Sequence, residues 1–245
     1  GAATACFSNA GQLCISAERL YVHADVYDEF LSAFVGQTRA LDLAADYAYG
    51  ASVGSLQNAG QLEKTRDHLD DAVEKGANVV SGGRKRPDLG PYFHEPTILT
   101  GVPEDATLYR EETFGPVVAV YEVDDVKEAV RRANDSPYGL NASVWTEDER
   151  LGEHVAEHLD CGTVNVNDAF LSAWGSMDAP MGGMGDSGLG RRHGPEGLLK
   201  YTESQTVAVN DGPVLGGSPS GVSGDWWERG MTAYLRARRK LGWSN

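Results

Sequence analysis

The sequence predicts an α/β domain whose parallel sheet is covered by helices on both faces. Short β-branched or aromatic runs alternate with amphipathic stretches of roughly 10–15 residues, the pattern of strand–helix–strand units. The apolar content of 41% over 245 residues is enough for a substantial buried core. ISAERLYVH suits a strand, and ADVYDEFLSAFVGQTRAL suits a helix with Val26, Phe30, Leu31 and Phe34 at helical spacing. GQLEKTRDHLDDAVEKGANVVSGG repeats the theme, with Leu62, Leu69, Ala72 and Val73 on one face, a stop at Gly76 and the short strand NVV. VDDVKEAVRRAND then reads as a helix, NASVWTE as a strand, DERLGEHVAEHL as a helix and GTVNVN as a strand.

After residue 168 the pattern changes. Gly182, Gly183, Gly185, Gly188 and Gly190 crowd AFLSAWGSMDAPMGGMGDSGLGRRHG, which predicts a long loop folded over the domain. The compact domain is expected over 1–200. YTESQTVAV, within 201–210, alternates like a half-buried strand, and GPVLGGSPSGVSG makes 211–224 a linker by composition. Over 225–245, Asp225 and Glu228 have capping-box spacing, and Trp227, Met231, Tyr234 and Leu241 share a face of a basic helix. That helix is expected to dock on its own domain or a neighbouring subunit. Its Arg236, Arg238, Arg239 and Lys240 leave a membrane-surface role as the lesser reading.

Lys and Arg total 21 against 36 Asp and Glu. The net charge of −15 repels nucleic acid and anionic lipid, so neither is an expected partner. No apolar run approaches the roughly 18 residues of a membrane span and no leader pattern opens the chain, so a soluble, cytoplasmic protein is expected. The chain lacks an initiator Met and opens on GAATACFSNAG, resembling the late turns of a helix already under way. A fragment, or a truncated relative, of a longer protein is expected.

Three cysteines, Cys6, Cys14 and Cys161, have neither zinc-site nor disulfide spacing. Cys14, in FSNAGQLC, sits where a helix gives way to a strand and Gly11 frees the backbone. Such a junction can hold a thiol at a cavity edge, although a lone Cys is more often a small buried hydrophobe. Cys6 and Cys161 read as packing residues. None of the six histidines is an evident partner for a Cys–His pair. His154 and His158, four apart on a helix, lack further ligands nearby and read as a solvated face, so no metal is expected. In REETFGPVVAVYEV, Gly115-Pro116 fixes a turn before a strand, placing Glu112 and Phe114 at a sheet end where α/β folds bind ligands; a plain turn with solvated acids is the competing reading.

Together these segments resemble the aldehyde dehydrogenase superfamily over residues 1–210. FSNAGQLC is similar to its cysteine motif, EETFGP to its glutamate motif, and PMGGMGDSGLGRRHGPEGLLKYTESQTV to its C-terminal Gly-rich loop and last strand; GPYFHEPTIL, ANDSPYGLNASVWT and CGTVNVND match in order. The resemblance implies NAD- or NADP-dependent oxidation of an aldehyde through a thiohemiacetal and a thioester. It makes Cys14 the nucleophile, with its backbone N–H donating to the oxyanion, Glu112 the ribose ligand, Phe114 a nicotinamide neighbour and Gln61 a second ribose contact. Asn165 and Asn167 fall on the substrate side without an assigned role. Phe170, Leu171 and Trp174 are candidates for an apolar substrate entrance.

The family's general-base glutamate, oxyanion-hole asparagine and nearly all of its dinucleotide-binding domain precede its cysteine motif, so this chain alone is expected to be inactive. The last strand implies a homo-oligomer, dimer or tetramer, in the full-length form. The Gly-rich loop and basic tail look like bacterial succinate-semialdehyde dehydrogenases, with Arg191 or Arg192 as a cation for a distal carboxylate or as a loop anchor. A non-catalytic remnant serving subunit interaction and a thiol esterase or acyltransferase without a nicotinamide cofactor are the competing functions.

Overall fold

A computed structural model of the chain describes residues 1–45, 50–210 and 217–242. The chain divides into two compact units, Gly1–Thr202 and Glu203–Asn245. The first is built on a four-stranded sheet of β1 (Arg19–His23), β2 (Asn78–Ser81), β3 (Thr97–Thr100) and β4 (Val117–Val123), in spatial order β1-β4-β3-β2. Both β1 and β3 run parallel to β4, as the alternating pattern predicts. At the edge, β2 is antiparallel to β3, because residues 82–96 return without the helix that a parallel crossover needs.

Helices cover both faces. On one, α1 (Ala2–Phe7) and α2 (Tyr27–Arg39) bring Phe7 and Phe34 onto Val22, Ile98, Val118 and Val120. On the other, α3 (Ala59–Glu74) and α4 (Thr107–Arg110) bring Leu69, Ala72, Leu108 and Tyr109 onto Leu99, Val117, Ala119 and Tyr121. Even-numbered residues of β4 face the first layer and odd-numbered ones the second, so this central strand reads as a nearly unbroken apolar run. Burial of each such Val, Ile or Leu side chain contributes about 1.5–3 kcal/mol.

Asn58 caps α3 by accepting a hydrogen bond from the Gln61 N–H, and Gly76, at φ +105°, follows its end. The buried stripe of α3 differs from the expected one. Val73 is exposed, whereas Thr65 and His68 are buried, because the stripe centres on Thr65, Leu69 and Ala72 and leaves Val73 at its margin.

Beyond the sheet, α5 (Val126–Asn134) starts at Asp125, whose carboxylate accepts from the Glu128 N–H. A small parallel pair, β6 (Ala142–Val144) with β7 (Val164–Val166), is joined through α6 (Glu149–Ala156), while β5 (Tyr138–Gly139) pairs with β8 (Met184–Gly185). The Gly-rich segment is mostly loop, as expected, but contains α7 (Leu171–Gly175) and β8 and ends where α8 (Gly194–Leu199) begins.

In the second unit, the strand expected within 201–210 does not form: residues 202–210 carry no strand and are exposed. Among the described residues no strand lies alongside to complete its ladder, and an isolated strand does not persist in water. The expected linker, 211–224, falls partly on 211–216, outside the described residues. The terminal helix, α9 (Gly224–Lys240), starts one residue earlier than expected. Its cap is Ser223, which accepts from the Trp226 N–H, rather than Asp225, which pairs instead with Arg229 one turn on. Among the described residues, no helix is long and apolar enough to cross a membrane.

Candidate active site

Past α1 the backbone turns through three consecutive left-handed residues, Asn9, Ala10 and Gly11, with φ of 52°, 58° and 72°. Only the last requires glycine for space: a Cβ on Gly11 would lie 2.2 Å from the Gly115 carbonyl oxygen. The side chain of Gln12 ties the bend to a distant loop, donating to Ser55 O at 3.2 Å and accepting from Gln57 N–H at 2.8 Å. The Ser16 N–H then donates to Leu13 O at 2.9 Å, closing a tight turn with Cys14 inside it. The Cys14 thiol is exposed, and its backbone N–H has no protein acceptor among the described residues. Cys14 therefore combines an exposed thiol with a backbone N–H that lacks a protein acceptor among the described residues.

The glutamate motif forms a second turn, held on two sides. One face of α3 presents Gln61, Thr65 and His68, spaced i, i+4, i+7, to residues 113–115. The Gln61 amide donates to Thr113 O at 2.8 Å and Phe114 O at 2.9 Å, His68 Nδ1 lies 3.1 Å from Thr113 Oγ1, and a Cβ on Gly115 would meet Thr65 Oγ1 at 2.5 Å. From the other side, the two Glu18 oxygens accept from Thr113 N–H at 2.7 Å and Phe114 N–H at 2.8 Å. Phe114 is held at φ +55°, costly for a bulky residue, and its ring is half-buried. Glu112 remains exposed, and its carboxylate accepts no hydrogen bond among the described residues.

The parallel register, Arg19 opposite Ala119, brings the two turns together, because the segments entering neighbouring strands must share an end of the sheet. That end differs from the one expected of open α/β folds, which bind ligands at the carboxyl ends of strands. Here both turns precede their strands and lie at the amino ends of β1 and β4.

A pair of amide side chains, half-buried Asn141 and buried Asn165, extends the site toward α7. Asn141 Nδ2 donates to Ile15 O at 3.1 Å, next to Cys14, and its Oδ1 accepts from Asn165 Nδ2 at 2.9 Å. Asn165, 3% exposed, accepts in turn from the Ala173 N–H of α7 at 3.2 Å. Of the three residues expected at a substrate entrance, Phe170 is half-buried while Leu171 and Trp174 are exposed on α7. The Arg192 guanidinium stacks on the Trp174 ring at 4.4 Å. Arg191 is the anchor of the pair, donating to Gly183 O and Gly190 O.

Other candidates lie elsewhere. Cys6 is buried and burial pushes its thiol pKa up; Cys161 donates to Thr163 O at 3.3 Å. His158 Nδ1 sits 2.7 Å from His154 O, and no cluster of three or more potential metal ligands occurs among the described residues. Asn167 accepts from the Thr146 N–H and so orders a loop. Glu18 escaped the sequence reading, although a signal was present: alternation puts this acid on the apolar face shared by Leu20 and Val22.

A turn bearing an exposed thiol thus packs on a turn bearing an exposed carboxylate, at one end of the helix-covered sheet of an α/β domain. Residues 1–207 match the aldehyde dehydrogenase family, and the chain belongs to that family. It is 53% identical over 240 residues to a Mycolicibacterium smegmatis protein provisionally named succinate-semialdehyde dehydrogenase [NADP(+)], covering 98% of this chain and 46% of that protein. A Mycobacterium ulcerans relative of similar provisional name is 52% identical, with the same coverage. Among solved structures, succinate-semialdehyde dehydrogenase from Burkholderia pseudomallei superposes with a TM-score of 0.76 at 36% identity, over 82% of this chain and 41% of that one. An NAD+ complex of a Bacillus cereus aldehyde dehydrogenase gives 0.81 at 37%, over 86% and 42%. The chain spans less than half the length of the curated relatives it matches.

Proposed function

We propose that Cys14 is the nucleophile of an NAD- or NADP-dependent aldehyde oxidation carried out by a complete enzyme of which this chain supplies the catalytic portion. The observation that carries this reading is the contact between the two turns, with Gly11 against Gly115. It sets an exposed thiol and an exposed, unpartnered carboxylate at one end of the sheet.

The residues present fit a nicotinamide dinucleotide. Glu112 is an acceptor-only group suited to ribose hydroxyls, and Phe114 offers a half-buried ring beside it. These two would hold the cofactor, which when bound takes up the hydride lost by the aldehyde carbon. Gln61, expected as a second ribose contact, instead spends both amide hydrogens on the Thr113 and Phe114 carbonyls and acts by shaping the turn. NADP is the favoured cofactor, following the names of the closely similar mycobacterial proteins.

Cys14 as thiolate attacks the aldehyde carbon, giving a thiohemiacetal whose oxyanion is within the reach of the unpaired Cys14 N–H. After oxidation, water cleaves the thioester and regenerates the thiol. That last step needs a base, and among the described residues none is hydrogen-bonded to Cys14; the 245-residue chain alone is therefore expected to be inactive. Succinate semialdehyde is the proposed substrate, with Arg192, displayed on Trp174 and free of ion pairs among the described residues, as the cation for its distal carboxylate. The complete protein is proposed to be a cytoplasmic homo-oligomer. Aldehyde-dependent reduction of NAD and NADP, in the complete protein and in this chain side by side, tests the reading: activity in the first alone supports it, and activity in this chain overturns the division of roles.

A further inference from the structure

Glu18 lies four residues after Cys14 and immediately before β1, yet its carboxylate serves the other turn. Its two oxygens each accept one backbone N–H, from Thr113 and from Phe114, at 2.7 and 2.8 Å. The carbonyls of the same two residues are held by Gln61 from α3. The turn is thus gripped on its N–H side by the segment that carries the nucleophile and on its C=O side by a helix. What it holds is a left-handed Phe114, a conformation that a bulky residue does not keep without restraint.

We propose that Glu18 is a positioning residue whose ionised carboxylate fixes the Glu112–Phe114 turn in the form that presents Glu112 and Phe114 to the dinucleotide. The dinucleotide part of this inference rests on the function proposed above; the grip on the turn does not. A neutral side chain cannot replace it. A protonated acid or an amide keeps a single good acceptor and turns a donor toward the second N–H, so one of the two hydrogen bonds is lost.

The grip is consequently sensitive to pH. Burial drives the Glu18 carboxyl up to about 7, partly offset by the two N–H donors. The groups facing it are Cys6 on α1, whose thiol is neutral because burial raises its pKa, Glu112 in the turn itself, which raises the Glu18 value, and Lys64 on α3, which lowers it. Above neutrality both N–H groups are held by charge-assisted bonds; below about pH 6 one of them is released, and the turn is held by Gln61 and a single neutral hydrogen bond to Glu18.

The test is amide hydrogen exchange by mass spectrometry on the 245-residue chain, corrected for the intrinsic pH dependence of exchange, following the peptide that contains Thr113 and Phe114. Protection there is expected to fall about ten-fold as pH drops from 8.5 to 6. Glu18→Gln is expected to show the low-pH level throughout, Glu18→Asp to recover part of the difference, and peptides from α2 to be unaffected. Unchanged protection in Glu18→Gln at pH 8.5, or a wild-type profile without an inflection, overturns the inference. If Glu18→Gln does not fold, the wild-type profile and Glu18→Asp decide the matter.

Fluorescence titration with NADPH in the complete protein then reads the consequence. A dissociation constant about ten-fold weaker in Glu18→Gln, and no longer dependent on pH, is expected. Exchange data as expected with no NADPH binding even in the wild type would refute the proposed function and leave the grip intact; equal NADPH affinity in wild type and Glu18→Gln would refute the positioning role.

Discussion

Gly11 and Gly115 meet backbone to backbone: no side chain fits on Gly11, because its Cβ would lie 2.2 Å from the Gly115 carbonyl oxygen. This contact joins the two sequence motifs on which the proposed chemistry depends. Gly11→Ala is expected to destabilise the chain by about 2–4 kcal/mol, combining a backbone clash with a left-handed φ of 72°. Urea denaturation measures the loss. A change below about 0.5 kcal/mol would mean that the two turns are not packed as described.

The three cysteines should separate by accessibility. Cys14 is exposed, Cys6 is 2% exposed with its thiol pKa raised by burial, and Cys161 is half-buried with its pKa raised for the same reason. Limiting iodoacetamide at pH 8 is expected to label Cys14 first in native protein, with Cys6 protected until denaturant is added. Mass mapping of the alkylated peptides checks this, and early labelling of Cys6 would contradict the burial of α1.

Much of this arrangement was legible in the sequence, and the exceptions share a cause. Strand–helix alternation gave the sheet and its two helical layers, because burial on both faces writes itself into a run such as VVAVYEV. The turns carrying Cys14, Glu112 and Phe114 were marked by Gly11 and by Gly115-Pro116, since backbone turns require particular residues at fixed spacing, while the roles proposed for the three came from the family resemblance. Glu18, His68 and Asn141 were not, because their partners lie 24 to 126 positions away and no local pattern records such pairings. The strand expected within 201–210 failed for a related reason: alternation encodes a face, but a strand exists only with a neighbour.

The Asn141–Asn165 pair is expected to matter for both stability and catalysis. Asn165→Leu removes the donor to Asn141 Oδ1 and the acceptor for the Ala173 N–H, leaving polar groups unpaired. A loss of about 2–4 kcal/mol is expected in urea denaturation, with lower kcat in the complete enzyme because Asn141 no longer fixes the Ile15 carbonyl beside Cys14.

Stability should depend on pH through two opposed groups. Glu18, raised by burial to about 7, favours the folded state below its unfolded value, and that contribution is lost as pH rises through 7. Global unfolding hydrates the carboxylate, whereas local opening of the turn leaves it buried and removes only its two N–H donors, so urea denaturation and hydrogen exchange at the turn carry opposite signs. His94, fully buried and lowered by burial to about 4, acts oppositely: its contribution is present above the unfolded value near 6.5 and is lost as pH falls through 4. Each contribution is on the order of 3 kcal/mol, so they largely cancel between pH 4.5 and 6.5 in the wild type. Glu18→Gln should unmask His94 and give stability that climbs with pH over this range. Urea midpoints from pH 4.5 to 7.5 test the sign, and a flat profile in the variant would contradict it.

The proposed role of Arg192 can be tested by separating charge recognition from chemistry. In the complete enzyme, Arg192→Ala is expected to raise KM for succinate semialdehyde ten-fold or more while leaving KM for an uncharged aldehyde of similar length within about two-fold. Equal effects on both aldehydes would assign Arg192 to packing on Trp174 alone.

The most direct test of the central claim is succinate-semialdehyde-dependent reduction of NADP by the complete enzyme, comparing wild type with Cys14→Ala. Turnover in the wild type, with loss of at least about a thousand-fold in Cys14→Ala at unchanged stability, is the expected result. Turnover that survives the substitution would show that Cys14 is not the nucleophile.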